Sequence, residues 1–380
     1  MAKKKILVLT DHMPWGHRSI AKAIFNYLKE NEKNSDYEVE YAEVKAQTGF
    51  TDDIYTFAYR YIPASNRWAS HVFDRKIARD LTRRASIINL PNLKKAVEKI
   101  NPDLIISAYF LHSHTLQVWR EEKKKTFKLW TVAADPWTIN PISFVKGCDF
   151  HLVYDETSSK LAQKYDIKKE KILVTGWWTR PEMYKSFSKQ ESCKKLGINP
   201  DRPTIFIGGG SLGTNSLTKL LPTLLFIKKK VTFVINTGID KFAYNLVDRY
   251  SKILSKLRKD DMVCIKNMGW IDNMAEVLSA CDIVFGKAGP NFLFDCVACK
   301  KPFVAITHIG GQEDGNIELI KKKKLGWIKE KNSELVEFLY KYLDEPELYQ
   351  NNFKETIKKE ADKNEKSLKI ILEKVKEELR

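Results

Sequence analysis

The sequence predicts an α/β protein built from two Rossmann-like domains. Three observations predict it. Two separate series of short apolar runs alternate with helical patterning, each series opens on a strand followed by a glycine-bearing loop and a helix, and 380 residues are ample for two domains. Strands buried on both faces of a parallel sheet read as near-continuous apolar runs, which is the pattern found here.

The first series opens with KKILVLTD, a short buried strand, and GHRSIAKAIFNYLKE behind it. Ile20, Ile24 and Leu28 recur at helical spacing, so the unit is strand, loop, helix. PDLIISAY, KLWTVAAD, FHLVYDE and KILVTG supply further strands. The second series runs TIFIGGGSLGTNS, VTFVINTG, MVCIKNMGW, CDIVFGKAG and PFVAITH. Between them GWWTRPEMYKSFSKQESCKKLGINPDRP is polar and carries three prolines, the composition of a linker. The expected division is a first domain over 1–185, a second over 186–345 and a helical tail over 346–380. Leu368, Ile371, Leu372, Val375 and Leu379 give that tail one apolar face, which must dock.

One segment departs from the alternation. From Ile54 to Lys95 the chain carries nine Lys or Arg, two acids and the aromatics Tyr55, Phe57, Tyr59, Tyr61, Trp68 and Phe73. Basic residues interleaved with aromatics suit a membrane surface, where rings sit at headgroup depth and cations meet anionic lipid. A helical insertion that packs its aromatics inward has the same composition.

Hydrophobic residues make up 43% and charged residues 30%, which excludes a disordered chain. The formal net charge of +17 favours an anionic partner, either lipid or phosphorylated substrate. No helix-turn-helix or RNA-binding signature accompanies it, so nucleic acid is not expected. Six cysteines form no disulfide pattern, and Cys296 and Cys299 lie in an apolar segment without a second ligand pair, so they read as buried thiols in a reducing compartment. The apolar run ILVLT is too short for a signal-peptide core, and no segment approaches the roughly 18 apolar residues of a membrane span.

The chemistry gathers in FGKAGPNFLFD, residues 285–295, where a strand ends on a glycine turn that opens a helix. Backbone N–H groups at such a helix start form an anion site, glycine allows close approach, and Pro290 suits a first helical position. Asp295 lies too far along to oppose a phosphate and is placed to accept from ribose hydroxyls. Gly269-Trp270-Ile271-Asp272 precedes the turn by one helix, and Gly311-Gln312-Glu313-Asp314-Gly315-Asn316 follows it by one strand.

This ordered set resembles the C-terminal half of the glycosyltransferases that make monogalactosyl- or monoglucosyl-diacylglycerol, relatives of the enzyme that adds N-acetylglucosamine to the peptidoglycan lipid precursor. DHMPWGHRSIAKAI, SAYFLHSH, VTGWWTRPEM and GGGSLG extend the resemblance through most of the chain. It implies the GT-B fold, two Rossmann-like domains facing each other across a cleft. It also implies a UDP-sugar donor in the C-terminal domain, a lipid acceptor at the N-terminal one, and attachment to the inner face of the cell membrane. Carried over residue by residue, Gly210 and Ser211 and the Ala288, Gly289, Pro290 and Asn291 turn hold the diphosphate. The backbone around Ile271, next to Trp270, meets the uracil edge, and Asp295 the ribose. Gln312, Glu313 and Asn316 read the sugar hydroxyls, and Arg180 serves at the cleft. Lys287 sits beside the phosphate turn, and Gly16 and Arg18 flank the first loop's histidine.

An inverting transfer needs one group to take the acceptor proton. His17, with an ordinary pKa of about 6.5, is the first choice, and Asp135 at the end of a strand is the second. Loop N–H groups and the helix dipole suffice for the leaving diphosphate, and no acid pair is arranged for a divalent ion, so neither metal nor cofactor is expected. The family's pattern is not kept everywhere: Met13, Pro14 and Trp15 replace its glycine run, Asn291 and Phe292 its glycine and threonine, and Asp295 its glutamate. Trp15, Trp177 and Trp178 fit either stacking on a sugar or a core. A polyprenyl-linked acceptor, or a nucleotide-sugar binder without catalysis, are the alternatives.

Overall fold

The structure, a computed structural model, describes residues 3–12, 16–33, 35–46, 76–208, 220–258 and 260–380. Met13, Pro14 and Trp15, Gly210 and Ser211, and residues 54–75 of the basic aromatic segment lie outside the described residues. The chain divides into two compact units. The first is Met1–Pro181 with Gly310–Gly315 and Lys363–Arg380; the second is Glu182–Ile309 with Asn316–Asp362.

The first unit holds a six-stranded parallel sheet in the order β2-β1-β3-β4-β5-β6. Its strands are β1 (Lys4–Thr10), β2 (Tyr37–Glu43), β3 (Leu104–Ser107), β4 (Lys128–Val132), β5 (Phe150–Val153) and β6 (Ile172–Val174). Ile6 to Leu9 are fully buried because β1 is flanked by β2 and β3 and covered on both faces. Between β1 and β2 runs α1 (Gly16–Glu30), whose Ile20, Ala21, Ala23, Ile24 and Leu28 face the sheet. The described part of the basic segment forms α2 (Lys76–Ala85), a short turn and α3 (Leu90–Ile100). It packs inward through Leu93, Ser86 and Arg79, whose guanidinium donates to the Tyr165 carbonyl at 2.7 Å. Next come α4 (Phe110–Glu122) and α5 (Glu156–Lys164), the latter capped by Asp155 accepting from Ser158 N–H.

Of the tail, residues 363–380 belong to this same unit, while 346–362 belong to the second. The last helix, α14 (Ser367–Glu378), buries Leu368, Ile371, Leu372 and Val375, while Lys128 Nζ donates to Glu378 at 2.7 Å. Asn364 Oδ1 accepts from Trp177 N–H at 3.0 Å. Trp177 and Trp178 are buried together with Tyr154, so these two tryptophans belong to the core.

The second unit repeats the plan, with the order β12-β11-β10-β7-β8-β9, all parallel. The strands are β7 (Thr204–Gly208), β8 (Val231–Asn236), β9 (Val263–Met268), β10 (Ile283–Lys287), β11 (Phe303–Thr307) and β12 (Gly326–Ile328). Its helices are α6 (Lys189–Leu196), α7 (Lys241–Leu257), α8 (Met274–Ser279), α9 (Pro290–Ala298), α10 (Asp314–Lys323), α11 (Asn332–Asp344), α12 (Pro346–Asn351) and α13 (Lys354–Asn364). Cys296 is buried in α9, and Cys299 donates weakly to the Met183 carbonyl at 3.3 Å; both are free thiols. No helix among the described residues is long and apolar enough to cross a membrane.

The two sheets share a feature that locates function. Strand order reverses between β1 and β3 in one and between β7 and β10 in the other, and open α/β sheets bind ligands outside the carboxyl ends of strands at such points. In the second unit Phe292 packs its ring against Gly208 and Gly286 at that point. A Cβ built on Gly208 would lie 2.9 Å from its ring and 2.8 Å from that of Phe206, and a Cβ on Gly286 would lie 2.8 Å from Phe292. We therefore expect Gly208→Ala to destabilise the protein by about 1–3 kcal/mol through overpacking, with Phe292→Ala recovering part of that loss in a thermal-unfolding double-mutant cycle.

Candidate functional site

In the first unit the switch point brings together groups separated by about a hundred residues of chain. Strand β1 delivers Asp11 just past Thr10, α1 delivers His17 in its first turn, and the β3–α4 junction delivers Ala108, Tyr109 and His112. The Ala108 N–H donates to Leu9 carbonyl at 2.9 Å, continuing the β1–β3 ladder. Its carbonyl, so fixed, lies 2.8 Å from His17 Nδ1. A carbonyl only accepts, so Nδ1 carries the proton and the neutral ring keeps its lone pair on Nε2. The ring stands edge-on to Tyr109 at 5.4 Å between centroids, and Tyr109 stands likewise against His112 at 5.0 Å. Burial lowers the His17 pKa below its ordinary 6.5, opposed by the Ala108 bond and the Asp11 charge. The result is a half-buried, neutral imidazole held in the tautomer of a base.

Asp11 is buried and well occupied: Oδ2 accepts from Ala46 N–H at 3.0 Å, and Oδ1 lies 3.1 Å from His12 Nδ1. His112 is 0% exposed, neither ring nitrogen has a hydrogen-bond partner, and its Nε2 is 4.0 Å from Asp11 Oδ2. Burial depresses its pKa to about 4 against the pull of Asp11, with His17 pushing the same way as burial. Sequence reasoning gave no role to Asp11, Tyr109 or His112. The signal available was that DH and SAYFLH both end apolar strands, but their adjacency depends on the pairing of β1 with β3.

The other residues expected here are placed as follows. Gly16 is exposed and begins α1. Arg18 points to β2, where its Nε donates to Glu43 Oε1 at 2.7 Å beside the Tyr41 hydroxyl, so its charge is already matched. Asp135 is half-buried in the loop after β4, on the same sheet edge but two strands from β1. That loop is tied down by Trp137 Nε1, 3.2 Å from Asp155, and by the Ser158 hydroxyl on the Pro136 carbonyl. Arg180 is half-buried next to Pro181. In the 310–315 loop Gln312 is exposed and Glu313 buried. Gly311 N–H donates to Asp314 at 3.0 Å, and Gly315 N–H donates to Thr138 Oγ1 at 2.6 Å, which leaves no space for a Cβ at 315.

In the second unit the turn from β10 into α9 is built as the residues foretold. Gly289 is the N-cap, with no side chain to satisfy the first turn, and Pro290 follows at N1. Such a start leaves backbone N–H groups of the first turn without intrahelical acceptors and presents the positive end of the helix dipole. The turn is braced: Ala288 N–H donates to Thr307 carbonyl at 2.9 Å, and Asn316 Nδ2 donates to the Ala288 carbonyl at 2.8 Å. Asn316 is itself buried, and its Oδ1 has no hydrogen-bond partner. This places Asn316 beneath the turn as its support. Lys287 ends β10 half-buried, Asn291 and Asp295 are half-buried in α9, and Ile271 is half-buried in the loop after β9. Trp270 is 70% exposed, its Nε1 bonded to Asp272 at 2.9 Å.

Comparisons with known proteins agree with this architecture. A monogalactosyldiacylglycerol (MGDG) synthase family model matches residues 17–177, and a glycosyltransferase family 28 C-terminal domain model matches residues 204–371. Monogalactosyldiacylglycerol synthase 1 of Arabidopsis thaliana is 27% identical over 83% of this chain, which spans 54% of that relative's length. The solved MurG of Acinetobacter baumannii superposes with a TM-score of 0.60 at 12% identity, covering 98% of this chain and 99% of that one. HepE of Anabaena, solved in complex with UDP, gives a TM-score of 0.59 at 13% identity over 99% of both chains. The fold is thus α/β, two-domain GT-B.

His114 and His151 share the fate of His112: burial holds each near a pKa of about 4. The unfolded chain, with histidines near 6.5, binds more protons than the folded one between these values, so stability is complete above pH 6.5 and falls as pH drops towards 4. Thermal unfolding followed across that range is expected to show a falling midpoint, with each histidine costing about 3 kcal/mol once it is protonated in the unfolded chain.

Proposed function

We propose that this chain, a GT-B protein of the monogalactosyldiacylglycerol-synthase-like glycosyltransferases, moves a hexose from a UDP-sugar to the hydroxyl of a lipid acceptor, diacylglycerol in the first instance, with inversion. The observation that carries the reading is His17: a neutral imidazole whose Nδ1 proton is held by the Ala108 carbonyl, with Nε2 left to accept a proton.

In this reading the acceptor hydroxyl gives its proton to His17 Nε2 as its oxygen attacks the anomeric carbon, and the bond from that carbon to the diphosphate oxygen breaks. UDP leaves with the bonding pair. Charge on the departing diphosphate is met by first-turn N–H groups and the dipole of α9, beside Lys287, and Asp295 holds the ribose. Asn316 contributes by keeping the Ala288 carbonyl turned away from that anion. At the inner face of the cell membrane the uncharged diacylglycerol supplies the acceptor hydroxyl, and the anionic lipids around it attract the surplus cationic charge.

A second reading, nucleotide-sugar binding without transfer, is favoured by one observation. The ring of Phe292 fills the space above Gly208 and Gly286 where a smaller hydroxyl residue would leave room and a donor.

The assay that separates the two readings uses diacylglycerol vesicles, several labelled UDP-sugars and calorimetry with UDP. Lipid-linked label is expected with at least one sugar; UDP binding by folded protein with no label from any sugar would establish the binder instead. His17→Ala is expected to retain UDP binding and lose about 10²- to 10⁴-fold in kcat. Because the His17 pKa is lowered, the active unprotonated form persists into acid, and the acid limb of kcat/KM is expected below pH 6.5.

A further inference from the structure

The outer surface of α7 is unlike that of the other helices. Its inner face, through Ala243, Val247 and Leu254, packs on the second sheet, which is all that a surface helix of a Rossmann-like unit requires. Yet Phe242 is 72% exposed, Ile253 55% and Leu257 67%. At 100° per residue these three fall within an arc of about 60° along the shoulder of the helix. Arg249, Lys256, Lys252 and Lys241, all exposed or half-exposed, occupy roughly the next 80°. The helix has a single acid, Asp248, and it is engaged by Lys252 at 2.7 Å.

The apolar shoulder continues onto the neighbouring segment. Tyr250 bonds the Leu221 carbonyl, and Arg258 Nη1 donates to the carbonyls of Leu224 and Leu225 at 3.2 and 3.1 Å. Those bonds bring the end of α7 against the turn that carries Phe226, which is 70% exposed. Lys228, Lys229 and Lys230 follow it, all exposed. A row of exposed apolar side chains flanked by cations, of which Lys229 is paired with Asp344 at 2.7 Å and Lys252 with Asp248, has no use in water, since it leaves large side chains hydrated. That cost is relieved at an anionic interface, where rings and aliphatic chains enter the headgroup boundary and ammonium and guanidinium groups meet phosphate.

We propose that α7 and the Phe226 turn form a docking surface for an anionic lipid bilayer, with the helix axis lying in the plane of the interface. The attachment is distinct from the basic aromatic segment at residues 54–95 and does not depend on the transfer reaction. Vesicle binding is measured with no nucleotide present, so a failure of either leaves the other standing.

The test is sedimentation of the full chain with vesicles of phosphatidylcholine alone and of phosphatidylcholine with phosphatidylglycerol. The native chain is expected to bind the mixed vesicles and not the neutral ones. Ile253→Gln with Leu257→Gln, both on exposed positions, is expected to weaken that binding about tenfold or more. Arg249→Ala with Lys252→Ala and Lys256→Ala is expected to weaken it about 100-fold, at roughly 1 kcal/mol per cation. The matching triple variant Lys321→Ala, Lys322→Ala and Lys324→Ala removes the same charge elsewhere and is expected to have little effect. Equal losses from the two triple variants would reduce the effect to net charge and overturn the proposal. Unchanged binding by both α7 variants, or a native chain that self-associates through this face by size-exclusion chromatography and sheds that association in the Gln variant, would overturn it too.

Discussion

The hydrogen bond from His17 to the Ala108 carbonyl is the interaction on which the functional architecture rests. It is imposed by the sheet: β1 and β3 pair in register, the Leu9 carbonyl receives the Ala108 N–H, and the carbonyl of Ala108 then presents its oxygen to the start of α1. A backbone acceptor cannot titrate, so the tautomer of His17 holds at any pH at which the ring is neutral. An acid in the same place would have drawn the ring towards the imidazolium form. Asp11 is close enough to be felt, but it is committed to Ala46 and His12. Desolvation therefore decides which way the pKa moves.

A comparable logic governs the second unit, with packing in place of a hydrogen bond. The glycines of FGKAGPNF suggest close approach of a phosphate, and the helix start they lead to is indeed formed. Gly286 and Gly208, however, are demanded by packing within the unit: the rings of Phe292 and Phe206 crowd Gly208, and the Phe292 ring and the Gly208 carbonyl crowd Gly286, while Phe292 also packs against Phe206 and Phe303. The helix start itself begins only at Gly289. From the other side Asn316 holds the Ala288 carbonyl, so a residue whose position in GGQEDGN suggests contact with a sugar acts on the peptide that precedes the helix.

Much of this was legible in the residues, and what escaped did so for identifiable reasons. Central strands such as ILVLT and TIFIG are apolar throughout because both faces are covered, and α1 declares itself by Ile20, Ile24 and Leu28. The edge strands β2 and β12 escaped. In YEVEYAE, Glu38 and Glu40 fall on the open side and Glu43 on the other pairs with Arg18, so the run looks polar, and GWI is too short for a pattern. Trp177 and Trp178 were ambiguous because stacking platforms and cores use the same residue; only the contacts with Tyr154 and Asn364 resolve them. Asp11, Tyr109 and His112 are individually unremarkable in the sequence. Their meeting is created by strand order, which composition and spacing do not encode.

The closing helix α14 has a consequence for how the molecule is made. Residues 363–380 are part of the first unit, and the amide of Trp177 waits for Asn364 as its acceptor. During synthesis the first unit therefore emerges from the ribosome with part of its surface unsealed. It stays so while the whole of the second unit is translated, about ten to forty seconds at typical elongation rates. The first unit, although translated first, is thus closed only by residues 363–380.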